Sequence, residues 1–208
     1  MVCSQGAVAR RGPHTRRMVV PDNQALERQP LAVVEPLEIR PPRIDEAAGA
    51  AAVHHRSWVD TYTALVGPNE AARLTLAERI AHWEWLLGSQ PTNWGALVAI
   101  RSGAIVGLVE WELGVDADTS VGEIHAIHVA VEERGRGVGR QLLNGSVRAL
   151  RAHGLRRTIL WVVEDNSPAR AFYERRGWAW DGTRLERPLG GFPGFPAVIE
   201  VRYALDLG

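Results

Sequence analysis

No lysine occurs in the 208 residues; all 24 basic residues are arginine. That absence excludes Schiff-base chemistry on a lysine and the phosphate-binding lysine of a Walker loop. Cysteine is almost absent too, Cys3 being the single example, so an internal disulfide framework and a multi-cysteine zinc site are excluded. Scarce cysteine suits a reducing, cytoplasmic compartment. No apolar run approaches the roughly 18 residues that span a membrane. The 24 acidic residues balance the 24 arginines to a net charge of zero, which speaks against bulk nucleic-acid binding. What remains is a chain with 46% apolar residues and eight tryptophans, enough to bury a core.

Residues 1–36 read as a mobile tail. They carry Arg10, Arg11, Arg16 and Arg17, prolines at 13, 21, 30 and 36, and no sustained period. Met18 is an alternative start. From residue 37 onward the pattern is that of one domain. Leu37–Arg40 reads as a short strand, Ile44 to about Val59 as an alanine-rich helix, and Val66-Gly67-Pro68 as a break. Asn69–Leu87 reads as one or two helices with Leu74, Leu76, Ile80, Trp83 and Leu87 as the apolar stripe. Gly95–Arg101 and Ala104–Leu113 form a hairpin pattern around Ser102-Gly103, followed by a polar loop over Asp116–Ser120 and a strand over Gly122–Val129. A helix to about His153 buries Val138, Leu142, Leu143, Val147 and Leu150. Thr158–Val163 is apolar throughout, as in a central strand. Ser167-Pro168 opens a further helix, and Trp178–Leu185 and Val198–Leu207 are the last strands. Trp161 and Trp178 are assigned to the core. The whole is an α+β mixed sheet with helices on its faces.

The most informative segment is Arg134-Gly-Arg-Gly-Val-Gly-Arg140, between a strand and an amphipathic helix. A helix N-terminus leaves amide N–H groups unpaired and carries about half a positive charge. Glycines at 135, 137 and 139 remove the side chains that would keep a phosphate away. Arg134, Arg136 and Arg140 add mobile positive charge, so the segment describes a diphosphate cradle. It does not read G-x-G-x-x-G from either Gly135 or Gly137, which disfavours a dinucleotide-dependent oxidoreductase.

Arg134-Gly-Arg-Gly137-Val-Gly139 resembles the [QR]-x-x-G-x-[GA] signature of the GCN5-related N-acetyltransferases. A second block, Asn166-Ser-Pro-Ala169-Arg-Ala-Phe-Tyr173-Glu-Arg-Arg-Gly177-Trp178, resembles that family's N-x-x-A-x-x-x-Y-x-x-x-G-[FW] helix. The resemblance covers about residues 37–208. It implies a mostly antiparallel sheet of six to seven strands, helices on both faces, and a central strand pair that splays apart. It implies acetyl-coenzyme A as co-substrate, with no metal. Arg134, Gly135, Arg136, Gly137, Val138, Gly139 and Arg140 would hold the diphosphate, with Asn166 adding a hydrogen bond. Backbone groups at Ile127 and Val129, on a bulged fourth strand, would hold the pantetheine arm.

The acceptor implied is a small-molecule or peptide amine, attacking directly in a ternary complex. An alkyl amine with pKa about 10.4 costs roughly 4–5 kcal/mol to deprotonate at pH 7, so a base is needed. Glu123 has the family spacing for that base, with His125 and Glu110 as rivals. Tyr173 matches the tyrosine that protonates the departing thiolate. Trp58 and Tyr62, read as lying between the first two helices, are candidate acceptor contacts along with His125. His125 and His128 are read as pointing to opposite faces of their strand, which excludes joint chelation. The rival from another class is a non-catalytic acyl-coenzyme A-binding module. A homodimer through the last strands is left open.

Overall fold

The computed structural model describes residues 35–115 and 120–208. Most of the expected tail, Cys3 and most of the expected polar loop at 116–120 lie outside those residues. The described chain builds a seven-stranded sheet in the order β1-β2-β3-β4-β5-β7-β6. The strands are β1 (Glu38–Arg40), β2 (Trp94–Arg101), β3 (Ala104–Leu113), β4 (Val121–Val129), β5 (Arg157–Val163), β6 (Ala179–Pro188) and β7 (Ala197–Asp206). All neighbours are antiparallel except β4 and β5. That parallel pair bonds only from Val121/Arg157 to Ile124/Leu160, although both strands run on, so the sheet opens between them.

Helices α1 (Ala47–Val66), α2 (Pro68–Ala71) and α3 (Leu76–Ser89) precede the hairpin; α4 (Val138–Ala152) and α5 (Ser167–Glu174) flank β5 in sequence. The α1 helix runs a further two turns past the expected Val59. Small residues let it pack tightly: Ala47, Ala50 and Ala51 lie in one core with Trp83, Leu87, Val98 and Leu108. Thr75 caps α3 through a reciprocal bond with Glu78, in which the Glu78 amide donates to Thr75 Oγ1 at 3.2 Å. Leu76, expected in the buried stripe, is instead 40% exposed because it starts the helix on its outer side. On the opposite face, α4 and α5 cover a core of Val138, Leu142, Leu150, Tyr173, Trp178 and Tyr203. Gly107 on β3 lets α4 come close, since a Cβ there would meet Leu142 at 2.9 Å and Val138 at 3.0 Å.

Trp178 is buried as expected, but Trp161 is not. It lies on the sheet face beyond the reach of α1, under the guanidinium groups of Arg187 (4.8 Å) and Arg202 (5.7 Å). Arginines cover that face by cation–π stacking where a helix would otherwise sit.

Candidate active site

The glycine turn ends in a left-handed Gly137 (φ +84°), which serves as the N-cap of α4, and Gly135 also has positive φ (+75°). A chain with side chains at both positions would be strained. Among the described residues, the amides of Gly135, Gly137, Val138, Gly139 and Arg140 donate to no protein carbonyl; the first helical bond is from the Gln141 amide to the Gly137 carbonyl at 3.1 Å. Nothing lies within 4 Å of a Cβ built on Gly135. The turn therefore presents a set of unpaired donors at the positive end of a 15-residue helix.

The arginines around the turn divide. Arg134 was expected to supply mobile charge, but its guanidinium is engaged with the Asp60 carboxylate, with Ser57 Oγ (3.3 Å) and with the Val129 carbonyl (3.3 Å). Arg136 pairs at 3.1 Å with Glu133, a buried carboxylate that also takes Arg101. Arg140 forms no ion pair among the described residues. Arg176 of the α5–β6 turn lies 3.8 Å over the Phe172 ring, its pKa lowered by burial and then by the charges of Arg175 and Arg140. These last three arginines make a positive flank beside the turn. Asn166 caps α5, its Oδ1 accepting from the Ala169 amide at 3.2 Å.

A bulge sits in β4, as the resemblance implied: Glu110 pairs with Ala126 and Trp111 with Ile124, leaving His125 as the extra residue. The alternation of side chains resets there. His125 and His128 consequently share the face covered by α1 and α3, which corrects the reading that they point opposite ways. They still have separate partners. His128 Nδ1 meets Ser57 Oγ at 3.1 Å, and its ring stacks on His54 at 4.3 Å. His125 lies between two carboxylates, Glu123 Oε1 at 3.3 Å and Glu112 Oε2 at 3.1 Å. Burial alone would lower the His125 pKa, but Glu123, Glu112 and Glu110 together raise it. No group of three or more metal-ligating side chains occurs among the described residues.

The opened gap between β4 and β5 is framed by these acids and by an aromatic wall. Trp58 and Tyr62 both lie within α1, rather than between helices, with rings 4.2 Å apart. Phe192, from the segment joining β6 to β7, packs edge-on against Trp58 at 6.2 Å. Glu200 on β7 is buried and held by Arg187, and its pKa is raised by burial and in part by Glu123. Tyr173 on α5 is buried and its hydroxyl makes no hydrogen bond among the described residues; burial, and then Tyr62, raise its pKa well above that of a free phenol. Glu123 and His125 thus meet on β4 where the sheet begins to open, and Tyr62 lies near enough to Tyr173 to influence its ionisation. A cavity of about 650 Å³ lies apart from these side chains, lined by the end of α1 (Leu65, Val66), by Val163 of β5 and by Phe195 and Val198. Sequence reasoning missed Glu112, Glu200 and Arg79 in this neighbourhood, because each reaches it by strand pairing or helix packing, which no local motif announces.

An open gap beside a cradle of free amides defines a class: an α+β protein whose split sheet has room and donors for an extended, phosphate-bearing ligand. Comparisons with known proteins make this specific. The model of the acetyltransferase (GNAT) family matches residues 55–178, more than half of the chain. The chain is 30% identical over 148 residues to a probable N-acetyltransferase of Mycobacterium tuberculosis, covering 68% of this chain and 79% of that one. A mycothiol acetyltransferase of Streptomyces bingchenggensis is 39% identical over 91 residues, which is 44% of this chain but only 29% of the relative. Solved structures show the same fold. An N-acetyltransferase from Staphylococcus aureus gives a TM-score of 0.66 at 20% identity, over 83% of this chain and 99% of that one. The PaiA N-acetyltransferase from Thermoplasma acidophilum, in complex with coenzyme A, gives 0.62 at 18% identity, over 79% and 98%. The chain belongs to the GNAT family of acetyltransferases. No described helix is long and apolar enough to cross a membrane.

Proposed function

We propose that the protein transfers the acetyl group of acetyl-coenzyme A to a primary amine, by direct attack with both substrates bound. The observation that carries this reading is the set of unpaired amides at Gly135, Gly137, Val138, Gly139 and Arg140, next to a sheet opened at the β4–β5 gap. Those amides hold the diphosphate, with Arg140, Arg175 and Arg176 as a positive flank. Asn166 adds a hydrogen bond from the start of α5. Backbone groups of β4 at Ile127, and the amide of Val129, whose carbonyl is held by Arg134, receive the pantetheine arm and leave the thioester at the gap. Holding amine and thioester in line there supplies the largest part of the acceleration.

Glu123 accepts the proton that the amine must lose, directly or through a water. His125, wedged between Glu123 and Glu112, carries a raised pKa; we assign it to steadying the Glu123 carboxylate and contacting the acceptor with Trp58 and Tyr62. As the new C–N bond forms and the C–S bond breaks, Tyr173 donates its hydroxyl proton in a hydrogen bond to the departing sulfur.

The reading is tested by a thiol-release assay with acetyl-coenzyme A and a broad amine library, alongside calorimetry with coenzyme A. Glu123→Gln should lower kcat by roughly a hundredfold, in the range of general-base effects, and leave coenzyme A affinity within about twofold. Coenzyme A binding with no thiol release from any amine would identify a non-catalytic binding module instead. Absence of binding would remove the cradle.

A further inference from the structure

We infer that Arg79 is an acceptor-binding residue, taking a carboxylate carried by the amine substrate, so that the acceptor is an amino acid or another carboxylate-bearing amine. The inference rests on the acetyltransferase reading above and goes further, to the chemistry of the acceptor.

Arg79 projects from the second turn of α3 and is only 6% exposed. Its guanidinium lies 5.0 Å over the Trp58 ring and 5.6 Å over Phe192. Its Nε is buried with no hydrogen-bond partner, and among the described residues no carboxylate comes within ion-pair distance. The indole Nε1 of Trp58, 5% exposed, is also buried without an acceptor. Two neighbouring buried side chains thus each hold a donor with nothing to receive it.

Among the described residues Arg79 is the one buried arginine, and it has no acid partner. The half-buried Arg101, Arg187 and Arg40 reach Glu133, Glu200 and Glu46, and the half-buried Arg170 and Arg176 reach the carbonyls of Glu164 and Phe172. The acids near Arg79 are committed elsewhere. Glu78 caps α3 through Thr75, Glu110 lies 3.6 Å from His82, and Glu200 is held by Arg187. Stacking on two rings offsets part of the cost of burying the charge. It does nothing for the N–H groups in the guanidinium plane, which need an acceptor. Burial lowers the Arg79 pKa to about 10, so the group stays charged at neutral pH.

The position fits an acceptor. Tyr62 stacks on Trp58 and feels the charges of both Arg79 and Glu200, and Glu200 in turn feels Glu123. Through its stacking on Trp58, and the stacking of Trp58 on Tyr62, Arg79 thus borders the aromatic wall near which Glu200 and Glu123 also act, and the acceptor is placed between them. An acceptor with an ammonium toward Glu123, Glu112 and Glu110 and a carboxylate toward Arg79 would satisfy both ends. A carboxylate, planar and singly charged, matches the guanidinium fork. A phosphate would bring extra negative charge beside four glutamates.

The test uses matched pairs: α-amino acids against their α-carboxamides, and ω-amino acids of three to six carbons against their amides. Each is assayed for thiol release, and for binding by calorimetry to the protein saturated with coenzyme A. For at least one pair, the carboxylate member should show kcat/KM at least tenfold above its amide. Arg79→Gln should collapse that ratio to near one by raising the KM of the acid, and Arg79→Lys should restore part of it, with coenzyme A affinity unchanged in both. Equal use of both members in every pair by the native protein overturns the inference, as does an unchanged ratio in Arg79→Gln. If Arg79→Gln does not fold, the native pairs and Arg79→Lys decide. If coenzyme A binds but nothing is acetylated, the acetyltransferase reading fails while Arg79 is still judged: calorimetric binding of the acid and not the amide supports it, and no binding of either overturns it.

Discussion

Tyr173 shows what burial does to a single reactive group. Its ring packs among those of Phe172, Trp178 and Tyr203, with centroids 5.2–6.3 Å away, and its hydroxyl has no protein hydrogen bond among the described residues. Burial, and then Tyr62, push its pKa up. The phenol is consequently neutral throughout the range in which a free thiol, with pKa near 8.5, changes charge. It can stabilise a departing sulfur by donating a hydrogen bond without being titrated itself. Tyr173→Phe should therefore lower kcat by about tenfold or more, and by the same factor at every pH from 7 to 9.5. Stability should stay within about 1 kcal/mol, because no partner is left unsatisfied. A pH profile of kcat for both proteins checks this; a loss that disappears above pH 8.5 would assign the effect to proton supply rather than to the hydrogen bond.

At the scale of elements, the turn into α4 and the close approach of α4 to β3 both use glycine, for different reasons. Gly137 needs its positive φ, and the nearest atom to an added Cβ is Arg140 Nη2 at 3.8 Å, so space is not the constraint. Gly137→Ala should cost on the order of 1 kcal/mol of stability through backbone strain. It should weaken coenzyme A binding by tenfold or more, because the amides on either side are re-aimed. Gly107→Ala, where a Cβ would meet Leu142, Val138 and the His128 carbonyl, should cost more stability but leave the affinity of the folded fraction nearly intact. Chemical denaturation and calorimetry on the two variants separate the effects; equal losses of affinity would argue against a role for the turn's amides.

These glycines also mark how far the sequence could be read. The turn, the Ser102-Gly103 hairpin with both residues at positive φ, and the Asn166-Ser167-Pro168 helix start were legible because each is decided within a few residues. The end of α1 was not, since packing against α3 carries the helix through Thr61 and Thr63 despite their branched side chains. The exposure of Trp161 depends on Arg187 and Arg202 from other strands. The bulge at His125 is visible only in how β3 and β4 pair, and it overturned a face assignment based on strict alternation. Most of the proposed catalytic side chains were named from motifs, whereas the acceptor's surroundings, above all Arg79, arise from contacts between elements far apart in sequence.

For the molecule as a whole, buried histidines make stability depend on pH. His54 accepts from Trp83 Nε1 at 3.3 Å and stacks on His128, so neither ring has room for a second charge. Burial lowers the His54 pKa well below the ordinary value, with His128 adding to the effect; burial, followed by Arg79 and Arg134, lowers His128 to about 3. Below about pH 6.5 the unfolded chain takes up protons at both positions that the folded chain refuses, so acidification favours unfolding. Each group contributes on the order of 2 kcal/mol between pH 7 and 5. His125 acts in the opposite sense. Its raised pKa contributes stability fully present below about pH 6.5 and lost as pH rises through the raised value, so it offsets part of their effect. Two depressed groups against one raised leave a net loss on acidification. Glu46, its pKa lowered to about 2 chiefly by its hydrogen bonds to Arg40, adds a further loss as the pH falls below about 4.5. The free energy of chemical denaturation should accordingly decline from pH 7 to pH 5, by no more than the roughly 4 kcal/mol that the two depressed groups together supply, and His128→Asn should flatten part of that slope whatever its effect on absolute stability. His125→Gln should steepen it. A native protein equally stable at both pH values, or a His128→Asn profile parallel to the native one, would mean that the stacked imidazoles are not the groups that resist protonation.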